Sequence, residues 1–91
     1  MSFEILIIDD NPDIRFLLEE IIKEEGYSTR SAANYSQALT EIDKKIPDLA
    51  IIDVKLDKGD NDGIELLNHI KTKNKDIPVI MISGHANIEM A

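Results

Sequence analysis

The chain has 91 residues, no cysteine, and a formal charge of −8 from eighteen acids against ten bases. This length allows one domain with a modest core, and the absence of cysteine excludes disulfide frameworks, thiolate zinc sites and thiol catalysis. The acidic balance argues against direct nucleic-acid binding, which depends on Lys and Arg neutralising phosphates. No basic leader runs into an apolar core and no apolar run approaches membrane-spanning length, so the expectation is a soluble cytoplasmic chain with no membrane partner.

In chain order, residues 3–8 read as a strand, with Ile5, Leu6, Ile7 and Ile8 forming an apolar run of the kind buried on both faces. The period then changes. Asn11 suits an N-cap and Pro12 a first helical position, after which Ile14, Leu17, Leu18, Ile21 and Ile22 recur at helical spacing until Gly26 supplies a stop. Residues 27–32 form a weaker, less buried strand. A second helix follows, with Asn34 and Gln37 in a capping-box arrangement and Ala38, Leu39, Ile42 and Ile46 on one face, ended by Pro47.

The stretch "DLAIIDV" is the next buried strand, and it runs into Asp53. Residues 55–63 read as a polar loop. Ile64, Leu66, Leu67 and Ile70 mark a third helix, and "IPVIMIS" a fourth strand opened by Pro78. The remaining "GHANIEMA" begins another loop or helix. Strands alternating with helices at this spacing imply βαβ units, so the fold class is α/β, a doubly wound parallel sheet.

In such sheets the ligand sits beyond the carboxyl ends of the strands, near the point where strand order reverses. That rule selects Asp9 and Asp10 after the first strand, Asp53 at the end of the third and Ser83 at the end of the fourth. Carboxylates brought this close repel one another unless they are protonated or share a cation. Hard oxygen donors with no Cys and only two His point to Mg²⁺. Asp57, Asp60 and Asp62 lack the terminal acid of an EF-hand loop and read as solvated, with Asp62 a candidate helix cap. His69 reads as a surface side chain, and Met81 and Met90 as packing residues.

The segments "IIDDNPDIR", "LAIIDVKL", "DNDGIELLNHIK" and "IPVIMISGH" resemble a response-regulator receiver domain of two-component signalling, over essentially the whole chain. The resemblance implies a flavodoxin/CheY-like fold in which Asp53 accepts a phosphoryl group from a sensor histidine kinase. It further implies that Asp10, Asp53 and the backbone carbonyl of Lys55 ligate Mg²⁺, that Asp9 acts through a water, and that Ser83 is the switch hydroxyl. Lys55, Gly84 and His85 would sit at the pocket mouth.

The loop "VKLDKGDNDG" is slightly longer than the usual pattern and, with "MISGHANIE", looks most like the NtrC/NtrX branch. Members of that branch carry an output domain for transcriptional regulation. Receivers continue through a fourth helix, a fifth strand bearing a lysine, and a fifth helix, for which this sequence has no counterpart. The expectation is therefore about four strands, an open edge on the fourth, and self-association through that edge or by element exchange, with a rearranged terminal segment covering the edge within one chain as the alternative. Two other readings remain open. One is a non-phosphorylated pseudo-receiver acting as an interaction module. The other is a haloacid dehalogenase-type phosphatase, whose Asp-x-Asp pattern is interrupted here by Lys55.

Overall fold

The apolar run Glu4–Ile8 forms strand β1, and the helix after it starts where the side-chain chemistry changes. Helix α1 spans Pro12–Glu24; the Asn11 side-chain oxygen accepts from the N–H groups of Asp13 (2.9 Å) and Ile14 (3.4 Å), two of the donors a helix start leaves unpaired. At the other end Gly26 adopts φ 94°, which an L side chain resists. There the Gly26 N–H donates to Lys23 O (3.0 Å) and the Tyr27 N–H to Ile22 O (3.4 Å), the two bonds of a Schellman stop. These details belong to a computed structural model that describes residues 3–54, 56, 62–82 and 88–90.

Strand β2 (Ser28–Ala32) leads to helix α2 (Tyr35–Lys44). The capping box is realised with a shift. Asn34 accepts from the Gln37 N–H (2.8 Å), while the Gln37 side chain reaches past Asn34 to accept from the Ala33 N–H (2.9 Å). Strand β3 (Leu49–Asp53), helix α3 (Asp62–Lys73) and strand β4 (Val79–Ile82) follow. Helix α3 begins at Asp62, so Asp62 and Gly63 are helical rather than loop.

The four strands are parallel, as the alternation of elements requires, and the sheet order is β2-β1-β3-β4. A fifth strand, β5 (Ile88–Met90), adds to β4 in the antiparallel sense, with Ile80↔Met90 and Ile82↔Ile88 in register. This corrects two expectations: residues 88–90 are strand rather than loop or helix, and the β4 edge is not open. An exposed row of strand N–H and C=O groups is a ready template, and an antiparallel partner needs only a short connection, whereas a parallel one needs a crossover of a dozen or more residues.

The two faces of the sheet are covered unequally. Helices α2 and α3 pack on one, over Leu6, Ile8, Ala50, Ile52, Val79 and Met81, which form a continuous core with Ala38, Ile42, Leu66 and Ile70. Helix α1 lies over β1 and β2 on the other face and covers Ile5 and Ile7. None of its own residues is buried: Leu18 and Ile22 are half-covered, while Leu17 and Ile21 of the same apolar stripe are exposed. No helix among the described residues is long and apolar enough to cross a membrane.

Candidate metal centre

Strand order reverses between β1 and β3, so the carboxyl ends of these two neighbours open a crevice. Their last paired residues are Ile8 and Ile52. One residue further on stand Asp9 and Asp53, with Asp10 beside them. One carboxylate oxygen from each of Asp9, Asp10 and Asp53 can be chosen so that all three lie within 4.8 Å of one another.

The two adjacent acids are in different surroundings. Asp9 is 6% exposed, its N–H still bonded to the Ala32 carbonyl (3.2 Å) and its Oδ1 accepting from the Asn11 N–H (2.9 Å). Asp10 is exposed. Burial is the main cause that raises the Asp9 carboxyl above its ordinary range; the Asn11 hydrogen bond opposes it, and the neighbouring Asp10 charge adds to it. The Arg15 guanidinium pulls weakly in the other direction and donates to the Asp9 main-chain carbonyl (2.7 Å).

Helix α3 closes on the β3 side of the crevice. The Gly63 N–H donates to Val54 O (3.1 Å), and a Cβ placed on Gly63 would stand 2.5 Å from the Asp53 carbonyl oxygen. Only a residue without a side chain allows this approach. Oxygens bound to one Mg²⁺ at about 2.1 Å lie at most about 4.2 Å apart. A set spread over 4.8 Å fits one ion after a modest side-chain rotation, or with one carboxylate acting through a water. The donors are all hard oxygens, which suits Mg²⁺ and not a thiophilic metal.

Of the residues selected from the sequence, Asp9, Asp10 and Asp53 are therefore brought together. Ser83, Gly84, His85 and Lys55 lie outside the described residues, as do Asp57 and Asp60. His69 is on the outer surface between helices, its Nε2 3.0 Å from Asp43 Oδ1, and Met81 is a core residue. Arg15 and Gly63 also shape the site. The Arg of "DIR" and the Asp-Gly at the start of α3 are their only traces in the sequence.

Residues 5–91 match the family model described as the response regulator receiver domain. The chain is 47% identical over its whole length to the nitrogen assimilation regulatory protein NtrX of Azorhizobium caulinodans, of which it spans 20%. It is 41% identical to sporulation initiation phosphotransferase F of Bacillus subtilis, covering 99% of this chain and 71% of that protein. Among solved structures it resembles the response regulator TrrA of Thermotoga maritima in complex with Mg²⁺-BeF, with a TM-score of 0.80 at 36% identity, over 93% of this chain and 73% of that one. The chain thus spans about a fifth of the NtrX-type regulator and most of the shorter relatives.

Proposed function

This chain belongs to the response regulator receiver domain family, and on that footing we propose that Asp53 is its phosphoacceptor, charged by a sensor histidine kinase. The observation that carries the reading is the convergence of Asp9, Asp10 and Asp53 at the strand-order reversal. In the transfer, an Asp53 carboxylate oxygen forms a bond to phosphorus as the donor's phosphorus–nitrogen bond breaks, leaving an acyl phosphate. Asp53 is held for this at the end of β3, one residue past the last pairing with β1.

Asp10 and Asp53, with the Lys55 backbone carbonyl, would hold Mg²⁺, and Asp9 would act through a water. Bound there, Mg²⁺ neutralises the acid cluster and the charge that develops on the transferred group. Ser83 is the switch hydroxyl that donates to a phosphoryl oxygen, and Lys55, Gly84 and His85 form the mouth through which the donor enters. That the TrrA relative was solved in complex with Mg²⁺-BeF supports a Mg²⁺ site in a receiver of this kind.

The modified domain relays its state to an output domain, in keeping with the NtrX relative, for transcriptional regulation in the cytoplasm. A second copy is engaged by exchange of β5, since the β4 edge is already paired within the chain. A strict monomer in light scattering at high concentration would remove that last element.

Intact mass after incubation with acetyl phosphate and Mg²⁺ tests the reading. One phosphoryl adduct is expected on the chain and none on Asp53→Asn. Mg²⁺ binding without any adduct would identify an interaction module of receiver shape instead.

A further inference from the structure

The Asp9 carbonyl lies just past the last β1–β3 pair in a residue that is almost wholly buried, and among the described residues no backbone N–H donates to it, so it needs another donor. That donor is Arg15, whose Nη1 stands 2.7 Å away. We propose that Arg15 is a positioning residue for the metal centre. By reaching back from the first turn of α1, it locks the β1–α1 junction in the geometry that directs Asp9 and Asp10 toward Asp53.

The contacts form a closed circuit. The Arg15 N–H is bonded to Asn11 O (3.1 Å), which anchors its backbone in α1. The Asn11 N–H holds Asp9 Oδ1 (2.9 Å), and the Asn11 side chain caps the same helix. Arg15 closes the loop on Asp9 from the far side of the turn. Its side chain is half-buried on a helix whose other polar side chains are mostly exposed. A planar guanidinium is preorganised for such a contact, whereas a lysine is a mobile point charge.

The proposal rests on the metal-centre reading above, and it makes a prediction opposite in sign to simple electrostatics. A cation beside an acid cluster repels Mg²⁺, so charge alone says that removing Arg15 tightens Mg²⁺ binding. If orientation dominates, removal weakens it, and the partners that orient metal ligands typically account for 10–100-fold in affinity.

The test is calorimetric titration of the whole chain with Mg²⁺ at neutral pH, on wild type, Arg15→Lys, Arg15→Ala and Asp53→Asn. Circular dichroism verifies the fold of each, and hydrogen exchange is read at the Asn11 amide without metal. Affinity is expected to fall in the order wild type, Arg15→Lys, Arg15→Ala, the last by about tenfold or more, with faster exchange at Asn11. Unchanged or tighter binding by a folded Arg15→Ala overturns the proposal while leaving the metal-centre reading intact. A wild type that does not bind Mg²⁺ overturns both. Should Arg15→Ala not fold, Arg15→Lys decides alone: weaker binding supports the proposal and binding equal to wild type overturns it.

Discussion

Replacing Gly63 with alanine sets two effects of known sign against each other. Gly63 is helical and its φ is not in the left-handed region, so alanine gains about 0.5–1 kcal/mol of backbone preference. Against this, the new Cβ would stand 2.5 Å from Asp53 O, 2.7 Å from Val54 Cα and 3.0 Å from Val54 O. All three are main-chain atoms, so no side-chain rotation relieves them, and ordinary contacts between carbons lie at about 3.5–4.0 Å. The start of α3 and the end of β3 must part by roughly 1 Å, a shift at the upper end of the overpacking range of about 1–3 kcal/mol.

The net expectation is destabilisation by about 2 kcal/mol, which in a domain of this size lowers Tm by roughly 8–16 °C. Thermal unfolding followed at 222 nm measures it. Because the displaced carbonyl belongs to Asp53, Mg²⁺ affinity should fall as well. A Gly63→Ala variant with equal or higher Tm would refute the steric argument. Gly26→Ala is the matching control: nothing lies within 4 Å of its Cβ, so only its φ of 94° costs stability, about 1–2 kcal/mol, and Mg²⁺ binding should not change.

Mg²⁺ at one hundred times its Kd should stabilise the chain by about 2.7 kcal/mol, visible as a Tm shift that shrinks in acid. The pH dependence follows from Asp9: its raised carboxyl means that the folded chain holds this proton more firmly than the unfolded chain does. Protonation therefore favours folding below the ordinary carboxylate pKa, and that advantage is lost as pH rises through the raised one, whereas Mg²⁺ needs the proton gone. Calorimetry in buffers of different ionisation enthalpy should detect proton release in this window, and no release at any pH would contradict the assignment.

Arg30→Ala should destabilise by about 2–3 kcal/mol in urea unfolding. It removes donors to the carbonyls of Glu41 (2.9 Å) and Lys45 (2.6 Å), together with a 3.0 Å ion contact to Glu4 that is not aligned as a hydrogen bond. An unchanged midpoint would show the clamp to be idle. Ile52→Val, in the fully buried face of β3, should cost about 0.5–1.5 kcal/mol, whereas Phe16→Ser on exposed α1 should stay within about 0.5 kcal/mol; reversal of that order would contradict the described core.

Much of this architecture is encoded in short-range pattern. The caps Asn11 and Asn34, the Gly26 stop and the apolar runs ending at Asp9 and Asp53 each depend on neighbours a few residues away. The alternation of strands and helices then requires a parallel sheet, and the position of ligands in such sheets selects the three aspartates from the sequence alone. The expected roles of Ser83, Lys55, Gly84 and His85 lie outside the described residues.

Local pattern did not reach interactions decided by surfaces far apart in the chain. Residues 88–90 carry no strong strand signal, and it is the unpaired edge of β4 that makes them a strand. The apolar stripe of α1 has helical spacing, yet how much of it is covered depends on which elements share its face of the sheet. Asp9 and Asp10 are the same residue type at adjacent positions. The path of the chain leaving β1 buries one and exposes the other, and that separates their chemistry. Arg15 and Gly63 gain their roles in the same way, since a carbonyl without a sheet partner and a near-collision of two backbones exist only once the strand ends and helices have been brought together. Sequence alone determined the order of elements from β1 to β4 and the acids at their ends, because periodicity and capping are local; tertiary structure decided the last strand, burial, partners and approach, because those are properties of surfaces that only folding brings into contact.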